Sequence, residues 1–180
     1  MTRGPTRRYR YVGPPALKAT VRPGAEGRRI TSARDFDTWI GEQSRQDLDE
    51  PFTFTIDLDG VLRLAPRRSE HITCAAGQPV LSAGEIGFTR EPTRWIVPHV
   101  SNHSTGYCPD TTSWPHVAEA LEHAGLTPPP GFTHELHFRR CPGCSRHNIV
   151  RDADYTCVFC ETALPTTWNI DPADDTSTPH

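Results

Sequence analysis

The sequence predicts an α+β fold: a small mixed or antiparallel sheet with two packed helices, followed by a compact C-terminal unit built on cysteines. Three observations carry this reading. In "PFTFTIDLDGVLRLAP", Phe52, Phe54, Ile56 and Leu58 alternate with polar residues, and Asp59-Gly60 then offers a tight turn before Val61, Leu62 and Leu64, the signature of a β-hairpin. In "TSARDFDTWIGEQ" and "TSWPHVAEALEHAG" the apolar residues recur at helical spacing instead. In "CPGCSRHNIVRDADYTCVFC" two Cys-x-x-Cys pairs stand twelve residues apart.

Each element has its own signals. Ser32, with Asp35 three residues on, marks a helix start, and Phe36, Trp39 and Ile40 form one apolar face. "RRSEHITCAAG" is either a helical turn or a loop closing on Gly77. "PVLSAGEIGFT" and "TRWIVPHVS" read as two further strands around an Arg-Glu-Pro turn, Pro98 pointing to an edge or a bulge. The second helix has Ser113 at its cap, Pro115 in its first turn, Trp114, Val117, Leu121 and Ala124 on one stripe and Gly125 just past its end. "LTPPPGF" is a stiff break between this body and the C-terminal unit, and "THELHFRR" is a strand leading into the first cysteine pair. Trp39, Trp95, Trp114 and Trp168 are expected core anchors. The expected divisions are a flexible basic leader over 1–29, the α+β body over 30–130, the cysteine unit over 131–170 and an acidic tail over 171–180.

Bulk properties narrow the function classes. Apolar residues make up 35% of the 180, with 18 Pro and 13 Gly, so part of the chain is expected to be irregular. No run of 18 apolar residues exists and the N-terminus lacks a signal-peptide core, which points to a soluble cytoplasmic protein without a membrane role. Residues 1–29 hold eight basic residues against one acid, Glu26, and such an arm can touch nucleic acid. Its four Gly and four Pro, its lack of helical period and the acidic body behind it favour a solvated tail, which disfavours nucleic acid as the partner.

A Cys-x-x-Cys turn places two thiolates on one side of an ion, and two such turns complete a tetrahedral shell at about 2.3 Å. Cys141, Cys144, Cys157 and Cys160 supply that set, so Zn2+ is the expected cofactor, in a structural role. The stretch resembles the zinc-ribbon family, whose two knuckles cap a small antiparallel sheet. A shell of four cysteines leaves no position for water or substrate, which argues against a catalytic ion. A thioredoxin-like dithiol would require a strand-then-helix context that neither pair has. A double site of the RING type would need eight ligands, where the stretch offers four, or five with His147.

The remaining polar residues concentrate in "SEHITCAAGQPVLSAGEIGF" and "VPHVSNHSTGYCP". His71, Ala76-Gly77, Ala83-Gly84, Ser104, Tyr107 and Pro109 resemble a block of plant IQ-motif calmodulin-binding proteins and related bacterial proteins, over about forty residues. The chain departs from it at Thr73-Cys74 and Thr105-Gly106 and has no Ile-Gln-x-x-x-Arg motif, so calmodulin is not implied as a partner. Three readings compete for these residues. His71, Glu85, Ser104 and Tyr107 could line one pocket for a small ligand or serve a transferase or hydrolase. Cys74 or Cys108 could be a nucleophile activated by His71 or His103. His71, Cys74, His103 and Cys108 could hold a second metal. Against all three, a lone Cys in a β-rich core is usually a buried hydrophobe, and Ser-Thr-Gly-Tyr before Pro is as easily a turn. His99, His116, His123 and His134 receive no role.

The leading expectation is a zinc-containing interaction or adaptor module that presents "SRHNIVRDADY" to another protein or a small ligand, with Arg146, His147, Asn148 and Arg151 in contact. An enzyme using the His71, Glu85, Ser104 and Tyr107 cluster is the alternative, and nucleic-acid binding by leader and C-terminal unit is a third.

Overall fold

Alternation and helical spacing resolve into seven strands and five α-helices along residues 6–171, the part of the chain that the computed structural model describes. In chain order the body holds α1 (Pro15–Ala19), β1 (Arg28–Ile30), α2 (Ala33–Gly41), α3 (Arg45–Leu48), β2 (Phe52–Ile56), β3 (Leu62–Ala65), α4 (His71–Cys74), β4 (Ser82–Arg90), β5 (Trp95–Val100) and α5 (Trp114–His123). The C-terminal unit holds β6 (His137–Arg140) and β7 (His147–Val150). The body strands form one antiparallel sheet in the order β1-β3-β2-β4-β5, and β6 pairs with β7 separately. The expected α+β class is therefore the observed one.

Strand β2 sets the layers. Its residues are buried on both faces, Phe52, Phe54 and Ile56 on one and Thr53 and Thr55 on the other. The aromatic face packs under α2 and α5, where Trp39 and Phe52 approach to 4.8 Å between ring centroids and Phe36 and Phe88 to 4.9 Å. Helix α2 starts as its sequence suggests: the Ser32 hydroxyl accepts the Asp35 amide, while the Asp35 carboxylate reaches back to the Thr31 amide and hydroxyl. Helix α5 buries Val117, Ala120 and Leu121, but Ser113 spends its hydroxyl on Ser82 and the Asp110 carbonyl instead of capping the helix. Leu58 belongs to the hairpin turn rather than the strand, because the Asp57 carboxylate accepts the Asp59 and Val61 amides and tightens the turn there. Pro98 lies on β5, an edge strand, where its missing N–H costs no ladder bond.

The other face of the sheet is covered by α4 and by residues that the composition suggested were a flexible leader. Tyr9 exchanges two backbone hydrogen bonds with Val80, at 2.8 and 2.9 Å, and is buried with Ile72, Ala75, Val80, Ala83 and Tyr107. Leu17 and Val21 pack against the same cluster, and β1 extends the sheet beyond β3. Abundant Arg, Gly and Pro hid the few apolar residues that do this covering. Residues 1–5 of the expected leader, and the expected acidic tail beyond Asp171, lie outside the described residues.

The loop after β5 passes over Gly84 so closely that a Cβ there would lie 1.8 Å from the Ser101 carbonyl oxygen. Replacing Gly84 by Ala is therefore expected to lower the unfolding free energy by more than about 2 kcal/mol, since backbone must move to admit a methyl group. Gly41, at the end of α2 with open space around its Cβ position and no left-handed backbone angle, is expected to gain about 0.4–1 kcal/mol on the same substitution. Urea unfolding of the two variants beside the parent checks both signs.

Candidate metal centre

The two cysteine pairs fold into matching knuckles. In the first, the Cys141 amide donates to the Arg146 carbonyl and the Ser145 amide to the Cys141 carbonyl. In the second, the Cys157 amide donates to Thr162 and the Glu161 amide to Cys157 in the same pattern. Each knuckle ends in a left-handed residue directly after its second cysteine, Ser145 and Glu161, both at φ 63°. Strands β6 and β7 bring the first knuckle up, the Thr156–Ala163 bridge closes the second, and the four Sγ atoms come within 4.8 Å of one another.

This cluster fits a metal ion. A tetrahedron with metal–sulfur bonds of about 2.3 Å has sulfur–sulfur edges of about 3.8 Å. Cys141 and Cys160 are 3.5 Å apart and Cys144 and Cys157 3.7 Å, close to that edge and far longer than a disulfide. Donors are already aimed at the sulfurs: the Gly143 and Cys144 amides at Cys141, and the Phe159 amide and Asn148 side chain at Cys157. Desolvation acts to raise the Cys157 thiol, but the Phe159 and Cys160 amides, Asn148 and Cys141 outweigh it and bring it down to about 6. The Arg146 amide acts to lower Cys144, yet desolvation and the three neighbouring sulfurs push it up to about 11. An ion that binds all four as thiolates must displace the protons that the cluster holds. With every corner occupied by sulfur, such an ion has no open position for a reactant.

Asn148, expected as an outward contact, is buried, because its amide nitrogen faces Cys157 Sγ at 3.4 Å and the Arg146 carbonyl while its oxygen accepts the Val158 amide. It supports a ligand rather than meeting a partner. A second buried asparagine, Asn102, had no signal in the sequence beyond its place among polar residues. It donates to the Pro109 and Leu136 carbonyls and accepts the Leu136 amide, tying the chain that enters β6 to the body. Trp168 adds to this tie with its indole N–H on the Cys108 carbonyl at 2.8 Å.

The central polar residues fall into two pairs. His71, on α4, meets the Gly84 carbonyl through Nε2 at 2.8 Å, and Glu85 on β4 is among the charges that act on it. Because a carbonyl only accepts, Nε2 carries the proton, and burial lowers the imidazole pKa. Ser104 and Tyr107 share a turn, in which the Ser104 hydroxyl accepts the Tyr107 amide and the Tyr107 hydroxyl donates to the Gln78 carbonyl. None of these four residues lines the clefts of about 920, 490, 330 and 540 Å³ found elsewhere on the surface.

Cys74 and Cys108 are both buried, and they turn apart. Cys74 faces Thr55 and the Arg63 carbonyl, whereas Cys108 packs with Leu136, Phe138 and Ile170. Burial pushes their thiols up to about 11 and about 12, which works against a thiolate nucleophile at neutral pH. A second metal set from His71, Cys74, His103 and Cys108 is not assembled: among the described residues, the four-cysteine cluster is the one group of three or more potential ligands near a common point. Also among them, no helix is long and apolar enough to cross a membrane. Comparison with protein-family models, curated proteins and solved structures yields no match, so the likeness of the central block to IQ-motif proteins stands on its motifs alone.

Asn148→Ala is expected to weaken metal affinity 10- to 100-fold, read by competition with a chromophoric chelator, because it strips a donor from Cys157 and leaves the Val158 amide unpaired. His71 titrates with a definite sign. Its folded pKa lies below the unfolded value near 6.5, so stability is full above about pH 6.5 and is lost as pH falls through and below it, at no more than about 1.4 kcal/mol per pH unit. His71→Gln, which keeps a donor for Gly84, is expected to flatten the unfolding free energy between pH 7 and pH 5.5 relative to the parent. Parallel pH profiles for the two proteins would show that the ring is not held neutral.

Proposed function

We propose that the chain is a zinc-binding interaction module, in which a structural four-cysteine ribbon fixes an exposed recognition surface for another protein. Zinc is the ion that suits a closed, redox-silent set of four thiolates, and a reducing compartment such as the cytoplasm keeps those thiols available. The observation that carries the reading is the tip of the second knuckle. Val158 and Phe159 are 77% and 53% exposed, on a turn whose flanking cysteines form the metal cluster. Arg146 of the first knuckle lies over the Phe159 ring at 4.6 Å. Two large apolar side chains and a guanidinium held outward on a stapled turn are poorly used as core and well suited to a contact surface.

The surface differs from the segment that the sequence suggested. Arg146, His147 and Arg151 are exposed and Asn148 is not, and we take Val158-Phe159, with Arg146 against it, as the centre in place of the stretch between the knuckles. The polar groups of His71, Ser104 and Tyr107 are engaged by backbone partners, and no observation favours the enzyme reading over the module.

The test combines metal analysis with capture. The purified chain is expected to carry one zinc per molecule. Replacing Val158 and Phe159 together by Ser is expected to retain that zinc and the circular dichroism of the parent while losing the proteins that the parent captures by cross-linking in nuclease-treated extract. The proposal fails if the chain binds no zinc, or if parent and variant capture the same proteins.

A further inference from the structure

A separate cleft of about 540 Å³ opens where the C-terminal unit meets the body, within the size range of small-molecule sites. Arg7, Asp110, His137, Arg139, Tyr155 and Trp168 line it, together with three threonines, Thr111, Thr166 and Thr167. The unusual member is Arg139. It is 4% exposed, on β6, and its Nε donates to the Pro165 carbonyl, Nη1 to Phe138 and Nη2 to Thr166, at 3.0, 2.7 and 2.9 Å. Among the described residues, no carboxylate lies within ion-pair distance of it.

Three carbonyl groups orient this guanidinium and the Tyr155 ring lies 5.9 Å from it, contacts that stabilise the cation without neutralising its charge. A buried cation is costly unless an anion compensates it, and a planar guanidinium suits an oxyanion better than an ammonium does. Two of its five N–H donors have no carbonyl partner. Across the cleft, Arg7 lies over the Trp168 ring at 4.4 Å and reaches Asp110 at 3.6 Å. Asp110 is the one carboxylate in the lining, and its oxygens are already held by the Thr111 amide, the Thr112 hydroxyl and Arg7. The wall therefore presents two guanidiniums, an imidazole and hydroxyl donors against a single engaged acid.

We propose that this cleft binds a phosphate group carried by a small molecule, with Arg139 as the buried anchor, Arg7 as the second cation and the threonine hydroxyls as further donors. Two guanidiniums against one carboxylate leave the wall net positive, several N–H and O–H donors suit the several oxygens of a phosphate, and charge-assisted bonds to guanidinium are the strong ones. The site is distinct from the knuckle tip and does not rest on the reading given to it.

Calorimetric titration of the full, zinc-loaded chain with inorganic phosphate and with a nucleoside monophosphate, each against chloride at equal ionic strength, tests this. Saturable binding of either probe is expected. A tighter response to the nucleotide identifies a phosphate ester as the ligand, and an equal response identifies free phosphate. Arg7→Gln is expected to weaken binding about tenfold or more, and Asp110→Asn to strengthen it. Arg139→Gln is expected to abolish it; should that variant misfold, Arg7→Gln carries the test, since Arg7 does not support β6. Absence of saturable binding for both probes, or affinity unchanged in a folded Arg7→Gln, overturns the proposal.

Discussion

Strand β2 is buried on both faces, and most of the molecule's organisation follows from the need to cover them. Its aromatic face takes α2 and α5, whose Phe36, Trp39, Val117 and Leu121 close over Phe52, Phe54 and Ile56. Its threonine face has polar groups that must be satisfied as well as covered, so Thr53 bonds the Ser69 carbonyl and Thr55 meets Cys74. Helix α4 is short because its task is local: it delivers Ile72 and Cys74 onto this face and turns away at left-handed Ala76 and Gly77. The N-terminal segment completes the layer through Tyr9, Leu17 and Val21. Here the layered body is completed by a segment whose composition looks too polar for a core.

The C-terminal unit has a sparse core of its own, since its Leu136, Phe138 and Ile170 are buried against Cys108 of the body. Around the knuckles the buried cluster consists of Cys141, Val150, Cys157 and Leu164, two of which are candidate ligands rather than ordinary core residues. Polar residues replace the missing core. Asn148 ties the two knuckles together, Arg139 gathers the Phe138, Pro165 and Thr166 carbonyls, and Asn102 fastens the entering strand to the body. Each binds backbone groups at turns and segment ends, among them the Pro165 and Thr166 carbonyls, the Val158 amide and the Leu136 amide and carbonyl, which is why buried side chains with several donors or acceptors recur here. A bound ion would add the energy that about thirty residues of sparse core lack.

In the central block the polar side chains of His71, Ser104 and Tyr107 are engaged with backbone. His71 holds the Gly84 carbonyl and Tyr107 holds the Gln78 carbonyl across segments, while Ser104 holds the Tyr107 amide within one turn. Gly84 is where that crossing is tightest, with the Ser101 carbonyl occupying the space of a side chain. Motifs rich in His, Ser, Tyr and Gly can thus mark a packed junction as readily as a pocket.

What could be read from the sequence was what local spacing determines. Period-two alternation specified the Phe52–Ile56 strand, helical spacing with Ser32 and Gly125 specified two helices, and paired Cys-x-x-Cys turns specified the four-sulfur cluster. These features depend on neighbours within a few residues, and the side-chain chemistry of a short stretch suffices to state them. Tertiary structure alone decided that Tyr9 and Val21 cover a sheet face, that Asn102 and Asn148 are buried staples, that Cys74 and Cys108 diverge, and that Arg139 lines a cleft. Most of those outcomes depend on partners far along the chain, brought together by the order of strands in the sheet and the docking of one unit on the other, and that of Asn148 depends on the second knuckle folding back nine and ten residues later. A hydroxyl, amide or guanidinium has the same appearance in sequence whether it faces water or a carbonyl, and the fold is what chooses between them.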